Sequence, residues 1–263
     1  MRRLRLRLEY DGSAFKGWQR QPTDERTVQG ALEAAFAALP GRHGAVHAAG
    51  RTDTGVHALA MVAHVDTTSA IPEHKLRLAL NAHLPRDVVV LEVQRAAPEF
   101  EAQYDCLYRR YLYRLRQMRH DARGAALHRQ RCLAVFATLD VDAMRAATAA
   151  FVGEHDFAAL ATRETRSTRR TVHMCDLRDE HGELRLHVAA DGFLRSMVRT
   201  LVGTLLSVGK GALAVDDVPA VLASGDRARA GRNVPPQGLY FVEAGYEPWD
   251  AARSDALAAD LVV

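Results

Sequence analysis

The sequence predicts an α+β fold built of two related halves. Stretches of period-two and of helical apolar spacing follow one another along the chain. The succession of strand, helix and further strands occurs twice, and the strands come in adjacent pairs suited to hairpins. A doubly wound sheet would instead alternate single strands with helices. The seam falls near residues 100 to 110, giving an N-terminal half over 1–105 and a C-terminal half over 106–263.

In the first half, Leu4, Leu6, Leu8 and Tyr10 alternate with Arg3, Arg5 and Arg7, the pattern of a strand with one basic face. From Thr27, a capping residue, Val28, Ala31, Leu32, Ala35, Phe36 and Leu39 fall at helical spacing until Pro40-Gly41 stops them. Short strands are expected around Val46, over Ala60 to Val65 and over Val88 to Val93. The second half repeats the plan. A polar, arginine-rich stretch occupies residues 114 to 131, and Asp140 caps a helix carrying Val141, Met144, Ala147 and Phe151. Strands are expected over Thr171 to Leu177 and Leu184 to Ala190. A strong helical stripe runs from Phe193 through Met197, Val198 and Leu201 to Leu205 and ends at Gly209, with Arg195 and Arg199 four apart on one face. A short helix near Asp217 to Ala223 and a strand over Gly238 to Ala244 complete the reading.

The 263 residues are 48% hydrophobic and 25% charged, which suits a globular chain with a substantial core and excludes disordered or fibrous classes. No apolar run approaches the roughly 18 residues of a membrane span, and Met1 to Tyr10 lacks a signal-peptide core. Three cysteines without a CxxC pair argue against a disulfide framework or a zinc site, and a reducing cytoplasm is expected. The net charge of +3 says little about partners. Of the 35 basic residues 32 are arginine, whose planar fork suits phosphates and bases, although a base-composition bias would give the same excess.

Three segments carry chemistry. Gly50-Arg51-Thr52-Asp53-Thr54-Gly55-Val56-His57-Ala58 is a compact polar loop between apolar segments, with a carboxylate two residues from a cation. In isolation its TDTG also reads as an Asx-turn or helix cap. His43, His47, His57 and His64 raise metal catalysis, but on a strand His43 and His47 would stand roughly 13 Å apart, and no ligand pair lies on a helix. Tyr108 to Arg116, YRRYLYRLR, puts Arg109, Tyr111, Tyr113 and Leu115 on one strand face and Arg110, Leu112, Arg114 and Arg116 on the other. That interleaving suits RNA, as do Arg163, Arg166, Arg169 and Arg170, while a core-packed amphipathic strand fits equally well.

The motifs EYDGSAFKGWQRQ from Glu9, VQGALEAA from Val28, GRTDTGVHA from Gly50, RRYLY from Arg109, GEHDFAA from Gly153, GFLRSMVRTLVG from Gly192 and PPQGLY from Pro235 together resemble the TruA family of tRNA pseudouridine synthases, in order and over nearly the whole chain. The resemblance implies two ferredoxin-like or RRM-like halves sharing one mixed, mainly antiparallel sheet, with helices on one side and the active-site cleft between the halves. It also implies an isomerase acting on uridines 38, 39 and 40 of the tRNA anticodon stem-loop, working in the cytoplasm as a homodimer without metal or cofactor. Asp53 matches the catalytic aspartate, Tyr111 the tyrosine that stacks on the target base, Arg199 the arginine that pairs with the aspartate, and Arg51 the arginine that helps hold the flipped nucleotide.

Arg3, Arg5, Arg7, Arg110 and Arg114 are then candidate backbone contacts. Three positions depart from the family pattern: Thr54 stands for alanine, Gln103 for arginine, and Ser196 for asparagine or histidine. The competing reading is a noncatalytic RNA-binding module of the same fold, which would not require Asp53, Tyr111 and Arg199 together.

Overall fold

The computed structural model describes residues 1–118, 122–162 and 167–251. In the first half, β1 (Arg2–Tyr10) is followed by α1 (Val28–Ala37), β2 (His47–Ala48), β3 (His57–Thr67), α2 (Glu73–His83) and β4 (Val88–Arg95). The second half comprises β5 (Tyr108–Gln117), β6 (Leu133–Val135), α3 (Val141–Ala147), β7 (Gly153–Asp156), β8 (Arg169–Glu180), β9 (Glu183–Ala190), α4 (Met197–Gly209), α5 (Val218–Ala223) and β10 (Leu239–Gly245). One mixed sheet runs β4-β1-β3-β10-β5-β9-β8-β7, with β2 added to β3 and β6 to β5. Its pairs are antiparallel except β3 with β10 and β5 with β6.

Local chemistry accounts for these elements. The Thr27 hydroxyl accepts the Gly30 N–H at 3.2 Å and the Asp140 carboxylate accepts that of Ala143 at 2.9 Å, so α1 and α3 begin where their caps predict. Leu4, Leu6 and Leu8 of β1 are fully buried in one cluster with Val28, Leu32 and Phe36 of α1 and Leu76 and Leu80 of α2. Tyr113, Leu115, Leu186 and Val188 lie in the same cluster with Met197, Leu201 and Leu205 of α4. Burying each such side chain contributes about 1.5–3 kcal/mol, which fixes which sheet face the helices cover.

The basic faces expected from the strand patterns are largely taken up within the fold, with Arg7 alone of the five strand arginines exposed. Arg3 grips Asp66 through two hydrogen bonds of 2.9 and 2.8 Å and Glu101 through another of 2.8 Å. Arg5 lies over the rings of Tyr246 and Phe100, and Arg7 faces Glu92 at 3.6 Å. On the sheet face away from the helices, Arg110 is fully buried and Arg114 is buried against Glu183, with hydrogen bonds of 2.8 and 3.1 Å. Neither is placed to bind phosphate. Tyr113 is a core residue whose hydroxyl donates to the Pro235 carbonyl at 2.7 Å. Arg163 and Arg166 lie outside the described residues.

Four imidazoles are engaged inside the fold. His57 Nδ1 accepts the Gly12 N–H at 3.1 Å and His64 Nδ1 that of Ala102 at 3.0 Å. His187 is fully buried beside Glu180, and His173 stacks on Trp249. Burial pulls all four below their ordinary value of 6.5. Above that value folded and unfolded chains carry the same protons on these groups. Below it the unfolded chain binds more, so stability declines as pH falls. Tm measured from pH 7.5 to 5.5 therefore decreases, ahead of any contribution from carboxylates. A flat profile would mean that the folded chain takes up these protons freely.

Candidate active site

The Gly50–Val56 loop joins β2 to β3 and is braced from behind by residues 10–18. The Tyr10 hydroxyl pairs with the Thr52 hydroxyl at 2.8 Å, Trp18 N–H donates to the Thr52 carbonyl at 3.0 Å, and Gly55 N–H donates to the Phe15 carbonyl at 3.3 Å. A Cβ at Gly12 would stand 1.9 Å from the Val56 carbonyl oxygen, so this approach requires glycine. The half-buried Asp53 carboxylate points from the loop into a cleft of about 1200 Å³ between the two halves.

Arg199 comes from the first turn of α4, 146 residues away in sequence, and reaches the Asp53 carboxylate at 3.4 Å. Its Nε donates to the Val234 carbonyl at 2.7 Å while Val234 N–H donates back to the Arg199 carbonyl at 3.3 Å. That segment comes close to α4 because Gly203 and Gly231 lie backbone against backbone.

Helix α4 starts at Met197, later than the apolar stripe suggests, because Ser196 adopts the left-handed conformation with φ 66°. Phe193, Leu194 and Arg195 therefore belong to a loop, and Arg195 and Arg199 do not share a helical face. Asparagine and histidine are among the few non-glycine residues that visit this conformation readily, which accounts for the pattern from which Ser196 departs.

Tyr111 sits in the cleft floor, meeting Phe193 and Phe241 edge to face at 5.0 and 5.3 Å. Burial first, and then the Asp53 charge, hold its phenol well above the ordinary range, so it stays protonated. Arg51 is exposed at the cleft wall with no hydrogen bond or ion pair among the described residues. Thr54 is exposed, so its extra atoms displace nothing.

All four residues singled out in sequence thus line one cleft. The same surface brings in Phe193 and Arg109, which sequence reasoning did not assign to the site. Arg109 donates to the carbonyls of Ala49, Gln103, Cys106 and Asp191 at 2.6–3.1 Å, tying loops from both halves together. Its place in RRYLY marked it as basic, but no local pattern announces four carbonyl partners. Lys16, Arg51, Arg109, Arg170, Arg195 and Arg199 line the cleft, and Asp53 is the one carboxylate among the described lining residues.

The family described as tRNA pseudouridine synthase matches residues 8–108 and 147–247, two segments that cover most of the chain. The chain belongs to the tRNA pseudouridine synthase family. It is similar to the tRNA pseudouridine synthase A of Thermus thermophilus, 46% identical over 250 residues that cover 94% of this chain and 97% of the relative. It is also similar to the protein of that name from a Geobacter species, at 44% over 249 residues covering 94% and 99%. The relative from Acetivibrio thermocellus is 39% identical over 248 residues covering 94% and 100%. The family is one of isomerases, and its two matched segments meet at this cleft. Among the described residues no helix is long and apolar enough to cross a membrane.

Two substitutions probe the scaffold of this pseudouridine synthase cleft. Gly12→Ala forces the brace off the loop, costing about 1–3 kcal/mol and lowering turnover; unchanged Tm and turnover would show that residues 10–18 do not support Asp53. Ser196→Gly relieves the left-handed strain and stabilises by about 1 kcal/mol, read from denaturant melts. A loss of stability there would mean that the Ser196 side chain contributes more than its strain costs.

Proposed function

We propose that the chain isomerises uridine to pseudouridine at positions 38, 39 and 40 of the tRNA anticodon stem-loop, with Asp53 as nucleophile. One observation carries the reading: a single carboxylate, ion-paired to Arg199 and beside the Tyr111 phenol, stands in a cleft whose other charged residues among those described are all cations. Such a cleft attracts a polyanion and leaves one group able to attack.

The reaction breaks the glycosidic bond from ribose C1′ to N1, turns the uracil, and bonds C1′ to C5. N1 gains a proton and C5 loses one, so no redox carrier or outside energy is needed. Asp53 attacks the sugar or the base, as carboxylates do in glycosyl transfer. Arg199, fixed by Val234, orients that carboxylate. A uridine inside a stem-loop must leave the stack to reach Asp53. Tyr111, kept in place by Phe193 and Phe241, receives the uracil ring, and Arg51 holds the extruded nucleotide by its phosphate. Arg170 and Arg195 are the further lining cations available to flanking phosphates.

In this reading residues 1–105 supply the aspartate loop and residues 106–263 complete the cleft. The protein works in the cytoplasm as a homodimer in which one tRNA touches both subunits. Gln103, exposed where the family pattern has arginine, removes one phosphate contact from the rim.

The test uses tRNA carrying tritium at uracil C5, because bond formation there expels that hydrogen into water. Asp53→Asn retains folding and tRNA binding, with release falling by a factor of about 10⁴ or more. Normal release from the folded variant would overturn the assignment. No release from the wild type across several tRNAs, with binding intact, would identify a noncatalytic RNA-binding module.

A further inference from the structure

The loop over residues 100–105 is anchored nearly residue by residue, yet it carries the most exposed aromatic ring of the cleft. The Phe100 carbonyl accepts from Arg3 at 2.9 Å. Ala102 is fully buried, donating to His64 Nδ1 at 3.0 Å and accepting the Tyr246 hydroxyl at 2.8 Å. The Gln103 carbonyl accepts from Arg109 at 2.6 Å. Asp105 N–H donates to the Glu101 carbonyl at 3.0 Å, and its carboxylate takes the Glu101 N–H at 2.9 Å. Between these anchors Tyr104 lines the cleft with 78% of its surface exposed. Among the described residues neither its ring nor its hydroxyl has a ring contact or hydrogen-bond partner.

An aromatic ring gains by covering its faces, and in most folds it does so internally. Here the backbone is fixed while the ring faces water, so docking a flat partner costs little beyond two side-chain torsions. The cations that line the same cleft, Arg51, Arg170 and Arg195, select a polyanion, and the partner that is both flat and phosphate-linked is a nucleobase. Tyr111 is buried beside Asp53 and suits the reacting uracil, whereas Tyr104 stands at the mouth.

We infer that Tyr104 is a nucleobase-stacking residue that takes an unpaired base next to the extruded uridine, holding the stem-loop open during the reaction. This rests on the proposed action on an RNA stem-loop and assigns a second base-binding position to it.

The experiment uses the full chain and stem-loop RNAs carrying 2-aminopurine at the nucleotide before or after the target uridine, with steady-state kinetics on tritiated RNA alongside. With wild type, one of the two probes is quenched on binding. Tyr104→Ala abolishes that quench and raises KM about tenfold or more, while kcat falls much less. Tyr104→Phe keeps the quench and restores KM to within about twofold, because the ring and not the hydroxyl makes the stack. Equal Tm for the three proteins confirms that the exposed side chain has no structural role.

The inference is overturned if Tyr104→Ala retains both the quench and KM, or if Tyr104→Phe behaves like Tyr104→Ala, which would assign the hydroxyl to a phosphate. Binding and turnover report separately. A Tyr104-dependent quench in a protein that releases no tritium supports the stack and removes the synthase reading, whereas turnover without any dependence on Tyr104 does the reverse.

Discussion

Strand β10 holds the cleft together by pairing along both edges. It runs antiparallel to β5 through the second half, and parallel to β3 through only Tyr240 opposite His57 and Phe241 opposite Ala58. Two residue pairs are a weak ladder, and side chains reinforce it. Tyr240 stacks on His57 at 4.7 Å, and Phe241 packs between Tyr111 and the backbone at Gly50. Without this join the strand that follows the Asp53 loop and the strands packed against α4 would belong to separate sheets.

Much of this architecture is legible because it depends on local periodicity. Leu4, Leu6 and Leu8 alternate on a strand, and Thr27 and Asp140 cap the helices they precede. Helix α2 escapes such reading because only Leu76 and Leu80 are buried, too narrow a stripe to stand out between charged neighbours. The arginines mislead for a different reason. Arg3 lies 63 residues from Asp66 and Arg114 lies 69 from Glu183, so their neutralising partners come from strand register and not from neighbouring sequence. A cation's availability is a property of the fold.

The site was legible through motif resemblance more than through chemistry. Nothing in the local spacing of Asp53 distinguishes it from a turn residue, and its partner Arg199 stands on a helix whose start the apolar stripe misplaces by several residues. Ser196 explains that error, because a single left-handed residue stops the helix without altering the hydrophobic pattern. The glycines at 12, 203 and 231 are the physical counterpart of motif signal. Each lies where a Cβ would strike backbone, so each segment tolerates one residue type at that point.

The position of β10 also governs when the cleft can exist. It is the last described strand, and its partner β3 emerges from the ribosome some 180 residues earlier. A growing chain can pair β1 and β2 with β3 and cover them with α1 and α2, but the stretch of β3 at His57 and Ala58 lacks its partner until residues 239–245 arrive. Contacts this distant in sequence form slowly, and an open strand edge is prone to pairing with other chains in the meantime. Completion of the catalytic groove therefore waits for the last described strand, and until then the β3 stretch at His57 and Ala58 is an edge that a chaperone could shield.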